Sequence, residues 1–313
     1  LVEKTFQRGC DLIKDCCLDK NLSIINMEIV EKNTGFEAYF IIDCSPIILK
    51  KYLVKIEDNH SIGRLLDIDV IDENMNKISR AQIGKQNRKC ILCDIDIYEC
   101  RRLKKHSTEE LLEKEIEIML YFFNEEYCTK LSQLSLKALL YEVNTTPKPG
   151  LVDLNNNGSH KDMDIYLFQD SAISLFPFFK EFVALGIKNK EKKPNLFFQE
   201  LRELGKVAEI EMLKTTNNIN THKGTLFIFS IVLCSLGWLY ANEKQYSRQL
   251  LINTIKELCI DLVRDFENIE KKSEYTNGEK IYLDNKLLGI RGEALMGFSS
   301  VLDFSIIKFI YYL

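Results

Sequence analysis

Between Gly224 and Ala241 the chain runs for 18 residues without a charge (GTLFIFSIVLCSLGWLYA). A helix that is apolar on every side suits either a bilayer or the middle of a helical core. The length is at the lower edge of a span, the run stands alone, and it contains Gly, Ser and Thr. We therefore read it as the buried central helix of a helical domain, with no membrane span. The sequence around it must then supply the surrounding helices. From about residue 126 onward strand signals almost vanish. Leu251, Ile255, Leu258, Leu262, Phe266 and Ile269 form one apolar stripe at helical spacing.

The first part differs. Residues 22–31 (LSIINMEIVE) and 36–43 (FEAYFIID) are rich in β-branched and aromatic residues, which predicts two strands. A helix follows over IILKKYLVKIED, and GRLLDIDVID at 63–72 reads as a further strand. Ser107 and Glu110 form a capping box that opens another helix. The expected fold is α+β: an α/β sheet domain over residues 1–125 and an all-α domain over 126–313. Apolar residues make up 46% of the 313, enough to give both parts a core.

The net charge of −4 provides no basic field for nucleic acid, so an anionic ligand must meet local Lys and Arg clusters. The ten cysteines do not follow a secreted disulfide pattern. Several sit singly in apolar runs, as Cys128, Cys234 and Cys259 do. Reduced, buried thiols and a cytoplasmic location are expected. The opening LVEKTFQRGCDLIKDCC is amphipathic and lacks the apolar core of a signal peptide.

Five clusters carry chemistry. On a strand, Asp67 and Asp69 would share one face, a pair that suits Mg²⁺, with Arg64 beside them as a phosphate donor. Cys90, Cys93, Cys100 and His106 have the residue types and approximate spacing of a tetrahedral Zn²⁺ site. Residues 142–164 (EVNTTPKPGLVDLNNNGSHKDMD) cannot be helical through Pro147 and Pro149. That stretch reads as a rigid loop displaying Lys148, followed by Asp153, His160, Lys161, Asp162 and Asp164, with a helix start at Gly158-Ser159. Asn220 or Thr221 would cap the apolar helix, placing His222 and Lys223 at its positive end. Gly289-Ile290-Arg291-Gly292-Glu293 offers a guanidinium fork between glycines.

Taken together and in this order, residues 142–164, 220–227 and 289–298 resemble the three signature segments of triphosphoribosyl-dephospho-CoA synthase. Residues 63–114 resemble the C-terminal part of citrate lyase holo-acyl carrier protein synthase, a phosphoribosyl-dephospho-CoA transferase. The two occur as a fused bifunctional protein, and by comparison with that pattern both halves here are expected to be incomplete. The resemblance implies that ATP and dephospho-CoA yield triphosphoribosyl-dephospho-CoA and adenine. The group then passes to a serine of the citrate lyase acyl carrier protein, with release of diphosphate.

On that reading Glu142 is the expected general base for the acceptor hydroxyl, with Glu293 second. His160 and His222 would donate to phosphate or to the leaving base. Lys148, Lys161, Asn220, Lys223 and Arg291 would hold the triphosphate, with Mg²⁺ on Asp153 and Asp162. Two alternatives stand beside this reading, the first of them on the same His, Asp and Lys clusters. A helical metal-dependent nucleotide phosphohydrolase would give nucleoside products and phosphate. A non-enzymatic carrier-protein adaptor would bind without regard to ATP.

Overall fold

The computed structural model describes residues 1–305 except Thr34, Asp94, Gln245, residues 267–274, Thr276 and Lys286. The chain divides into two compact units, Leu1–Glu125 and Glu126–Leu313. The fold is α+β, with the strands confined to the N-terminal part.

In the first unit, helix α1 (Val2–Asp19) leads into an antiparallel hairpin of β1 (Ser23–Lys32) and β2 (Gly35–Asp43). Pro46 occupies the first turn of α2 (Pro46–Asn59), where its missing N–H removes no helical bond. Ile13 and Cys17 of α1 and Leu49 and Leu53 of α2 bury their side chains with Val70 and Ile78. Ile24, Phe40 and Ile42 of the hairpin pack against this cluster.

Residues 63–72 do not form the expected strand. Gly63–Leu65 is a single 3₁₀ turn, and the chain then runs extended without joining the hairpin. It pairs only with residues 76–78 that follow it, through an Ile71–Lys77 bridge flanked by the Ile78 N–H donated to the Val70 carbonyl and the Asp72 N–H donated to the Asn76 carbonyl. The apolar alternation persists without a sheet: Leu66 and Val70 are buried, Asp67 and Asp69 exposed. Alternation reports a half-buried extended chain; it does not say which chain lies alongside.

Helix α3 (Ile97–Arg102) is short and is capped by the Asp96 carboxylate. Helix α4 (Thr108–Asn144) opens with the reciprocal capping box. The Ser107 N–H donates to Glu110 at 2.8 Å and the Glu110 N–H to Ser107 Oγ at 3.1 Å.

The second unit is built of helices. Helices α5 (Ile165–Lys188), α6 (Phe198–Thr215) and α8 (Arg248–Leu258) pack on α7 (Lys223–Ala241), the uncharged segment. Among the described residues α7 is the one helix long and apolar enough to cross a membrane. Its Leu226, Ile231, Leu233, Cys234, Trp238 and Leu239 are buried in the core of this unit. Leu251, Ile255, Leu258 and Leu262 of the apolar stripe are buried in the same core. The α-helix stops at Leu258, however, and Ile260–Phe266 continues as 3₁₀. Ile269 lies outside the described residues. Helices α9 (Asn277–Asn285) and α10 (Gly289–Leu295) follow.

Candidate active sites

In the helical unit the site is organised around His222, at the N-terminus of α7. The side chain is buried. Its Nδ1 lies 2.8 Å from Ser171 Oγ, and Thr221 Oγ1 donates to the same Ser171 oxygen at 2.7 Å. Phe168, one turn before Ser171 on α5, meets the imidazole edge-on with centroids 5.0 Å apart. Nε2 is buried without a hydrogen-bond partner. The charges that act on this ring are Glu142, at the end of α4, and Lys148, in the loop that follows. These two form an ion pair of 2.7 Å, in which Lys148 is 14% exposed and Glu142 54%. Lys148 is thus held on the protein surface by Glu142 and is not displayed on an open loop.

The loop itself is shaped by Asp153. Its Oδ1 accepts from the N–H groups of Asn155 (2.8 Å) and Asn156 (3.0 Å), and its Oδ2 accepts from the Lys148 N–H at 3.0 Å. The Lys148 N–H foremost, and then those of Asn155 and Asn156, hold this carboxyl below its usual range. The expected metal ligand therefore serves its own loop. Gly158 does not start a helix. It sits at φ +59°, where a Cβ would come within 2.5 Å of the Gly150–Leu151 backbone, so the loop closes on itself there. Helix α5 begins seven residues later, capped by Asp164 Oδ1, which accepts from the Leu167 N–H at 2.9 Å. His160 is half-buried, and Lys161 and Asp162 are exposed between these two points.

Asn220 Oδ1 accepts from the Lys223 N–H at 3.2 Å, so it caps the helix from two residues before His222, the N-cap. Lys223 itself pairs with Glu209 of α6 at 2.6 Å. The third motif lies against the second: a Cβ built on Gly224 would meet Ile290 Cδ1 at 3.9 Å. Arg291 is half-buried on α10, and Glu293 accepts from Ser300 Oγ.

In the first unit the Asp67-Ile68-Asp69 segment is clamped from behind. Two buried side chains of α2 hold the Ile68 peptide unit: Lys50 Nζ donates to its carbonyl at 2.7 Å, and Glu57 Oε1 accepts from its N–H at 3.0 Å. Arg80 and Arg88 neutralise Glu57 at 2.9 and 2.6 Å. Asp67, Ile68 and Asp69 are among the residues that line a cavity of 1410 Å³, together with residues of α1, β2 and α2. Lys77 pairs with Asp69 at 2.7 Å. Arg64, expected to donate to phosphate, donates to the Lys89 carbonyl. The sequence reading missed Lys50, Glu57, Ser171 and Phe168. Lys50 and Glu57 lie in an apparently ordinary amphipathic helix, where charged residues read as solvent-facing.

A family model described as CitG, ATP:dephospho-CoA triphosphoribosyl transferase, matches residues 128–310. The chain belongs to the ATP:dephospho-CoA triphosphoribosyl transferase family. A second model, CitX, apo-citrate lyase phosphoribosyl-dephospho-CoA transferase, matches residues 1–121. Among curated proteins, the chain is 31% identical over 307 residues to Protein CitXG of Haemophilus influenzae. That match covers 96% of this chain and 65% of the relative. It is 34% identical over 301 residues to Protein CitXG of Leuconostoc mesenteroides, covering 92% and 64%. It is 40% identical over 187 residues to a probable 2-(5''-triphosphoribosyl)-3'-dephosphocoenzyme-A synthase of Streptococcus mutans, covering 56% and 63%. The chain thus spans about 65% of the length of the first of these relatives.

In the triphosphoribosyl transferase unit, burial pushes His222 down to about 4. Glu142 opposes that shift and Lys148 adds to it. The ring is neutral at pH 7 and carries its single proton on one nitrogen. The unfolded chain binds a proton near pH 6.5 and the native state does not until about 4. Stability from this residue is therefore complete above pH 6.5 and falls as the pH drops towards 4. A shift of this size corresponds to about 3 kcal/mol. Denaturant midpoints of the wild type and of His222→Gln, compared across that window, should converge as the pH falls. A constant gap would show that His222 is not held neutral.

Proposed function

We propose that the chain makes the prosthetic group of citrate lyase and attaches it to the acyl carrier protein of that enzyme. In the helical unit the C1′–N9 bond of ATP breaks and adenine leaves. A ribose hydroxyl of dephospho-CoA forms the new bond to C1′, and its proton passes to a base. In the first unit a serine hydroxyl of the carrier bonds to the α-phosphorus of that product as the α–β P–O bond breaks, and the hydroxyl proton leaves with the diphosphate.

The observation that carries this reading is the meeting at His222 of groups distant in sequence. A neutral, buried imidazole has one unpartnered nitrogen and is subject to the charges of Glu142 and Lys148. Such a ring can donate or accept a hydrogen bond without bringing a charge into the site. The Ser171 and Thr221 hydroxyls fix its orientation. Glu142 is the base and Lys148 the phosphate ligand. Arrival of the triphosphate would draw Lys148 away from Glu142 and leave the carboxylate for the acceptor hydroxyl.

Mg²⁺ would neutralise phosphate oxygens in both reactions. In the helical unit the exposed Asp162 is the better placed ligand, since Asp153 already accepts three backbone N–H groups of its own loop. In the first unit the paired Asp67 and Asp69 fit the role, with Lys77 as a further cation for the leaving diphosphate. None of the ten cysteines is joined in a disulfide, which supports a cytoplasmic setting.

Incubation of the protein with ATP and dephospho-CoA tests the reading. Free adenine should appear in step with loss of ATP, and adding the apo-carrier should then release diphosphate. Formation of orthophosphate and ADP without adenine would replace it with nucleotide hydrolysis.

A further inference from the structure

Among the described residues, none between 79 and 107 joins the apolar cluster of the first unit. Its regular structure is one isolated bridge, Lys89–Asp96, the short turn Ala81–Ile83 and the six-residue α3. A stretch this poor in apolar burial needs another source of order. Four side chains meet inside it. Cys90 and Cys93 lie on the turn closed by the bridge, Cys100 on α3, and His106 just before the capping box of α4. One ligand atom from each lies within 4.8 Å of the others.

The geometry suits a metal in three independent ways. Cys93 Sγ and Cys100 Sγ are 3.8 Å apart. That is about the edge, roughly 3.8 Å, of a tetrahedron with Zn–S bonds of about 2.3 Å. The Leu92 N–H points at Cys90 Sγ at 3.5 Å, so a backbone donor stands ready to support a thiolate. Finally, His106 Nε2 is buried and has no hydrogen-bond partner. An orphaned buried nitrogen calls for a ligand, and this same imidazole offers a ligand atom to the three-sulfur cluster.

We propose that Cys90, Cys93, Cys100 and His106 bind one Zn²⁺ that fastens the turn, α3 and the start of α4 into a single unit. Four protein ligands fill the tetrahedron, so the site is structural and leaves no open position for substrate. Its influence reaches the Asp67–Asp69 segment through the residues just before Cys90. Arg88 donates to the Leu66 carbonyl at 2.6 Å and pairs with Glu57, which grips the Ile68 N–H. Arg64 donates to the Lys89 carbonyl. Removing the ion would loosen residues 86–107 first and the acidic pair second, while leaving the helical unit intact.

The full chain, purified under reductant and desalted, should carry about one equivalent of zinc. Replacement by Co²⁺ should give the visible bands and the near-ultraviolet thiolate absorption of a tetrahedral sulfur-rich site. The double variant Cys90→Ser/Cys100→Ser should lose the metal. In hydrogen exchange, residues 86–107 should lose protection on zinc removal, with α5–α8 unchanged. Three outcomes overturn the proposal. The first is zinc well below stoichiometric, with all three thiols prompt towards a thiol reagent. The second is full zinc content in the double variant. The third is a Co²⁺ protein without thiolate absorption, a reading that needs no variant and so survives any misfolding. Loss of zinc with adenine release unchanged would uphold the clip and leave the proposed reaction standing separately.

Discussion

Glu142→Gln should lower the rate of adenine release by about 10²–10⁴-fold, the usual contribution of a positioned general base. The ATP concentration at half-maximal rate should change little. The acceptor hydroxyl must lose its proton as it bonds to C1′, and a glutamine amide cannot take it. The substitution is mild for the fold, because Glu142 is 54% exposed and its recorded partner is Lys148 at 2.7 Å. The glutamine carbonyl can still accept from that ammonium, so the loop has no reason to move. Lys148→Met provides the contrast. It removes a phosphate ligand and should raise the ATP requirement. The measurement is adenine formed per unit time by chromatography, at saturating dephospho-CoA. A Glu142→Gln rate within about tenfold of wild type would assign the proton to another group. Glu293 is the next carboxylate to examine, although it now accepts from Ser300.

The parts of this site that could be read in the sequence were those where residue type and spacing jointly restrict the chemistry. The loop around Lys148, the His222 segment and the Gly289–Ala294 segment were all identifiable as distinct motifs. The structure adds that Ile290 lies against Gly224 and that Glu142 and Lys148 act on His222. The role of Asp153 was not readable, because an aspartate that accepts from its own loop and one that waits for a metal have the same spelling. A run of three asparagines, Asn155 to Asn157, hinted at the first, since such residues bond locally to backbone. The helix start was placed too early for a similar reason. Gly158 serves a close approach within the loop, and Asp164, counted as one more acid of the cluster, is the actual cap.

The strand expected over residues 63–72 failed on a different ground. Its apolar alternation is real, and Leu66 and Val70 are buried as that pattern requires. The partner that completes its backbone bonding is a pair of side chains, Lys50 and Glu57, one to the Ile68 carbonyl and one to the N–H. No local pattern distinguishes a ladder from such a clamp. Pairing is a long-range property, whereas periodicity is a local one.

Gly237→Ala should destabilise the helical unit by about 3 kcal/mol or more, at the upper end of overpacking substitutions. For a unit of this size that is a fall in melting temperature of about 6–12 °C. Glycine is a poor choice inside a helix, worse than alanine by about 1 kcal/mol, so its presence in α7 needs a reason. The reason is the crossing with α5. A Cβ on Gly237 would lie 2.1 Å from the Val183 carbonyl oxygen, and one on Gly186 would lie 2.0 Å from that of Cys234. Both obstacles are backbone atoms, so no rotamer change relieves them. The helices would have to separate, opening gaps beside Phe179, Phe182 and Leu239, all now buried. Gly205→Ala supplies the internal control. Gly205 lies within α6 with nothing inside 4 Å of its Cβ position. Alanine there should stabilise by about 1 kcal/mol from helix propensity alone. If both substitutions moved the melting temperature upward, propensity would govern each site, and close contact of the α5 and α7 backbones would not be what holds the uncharged helix in its core.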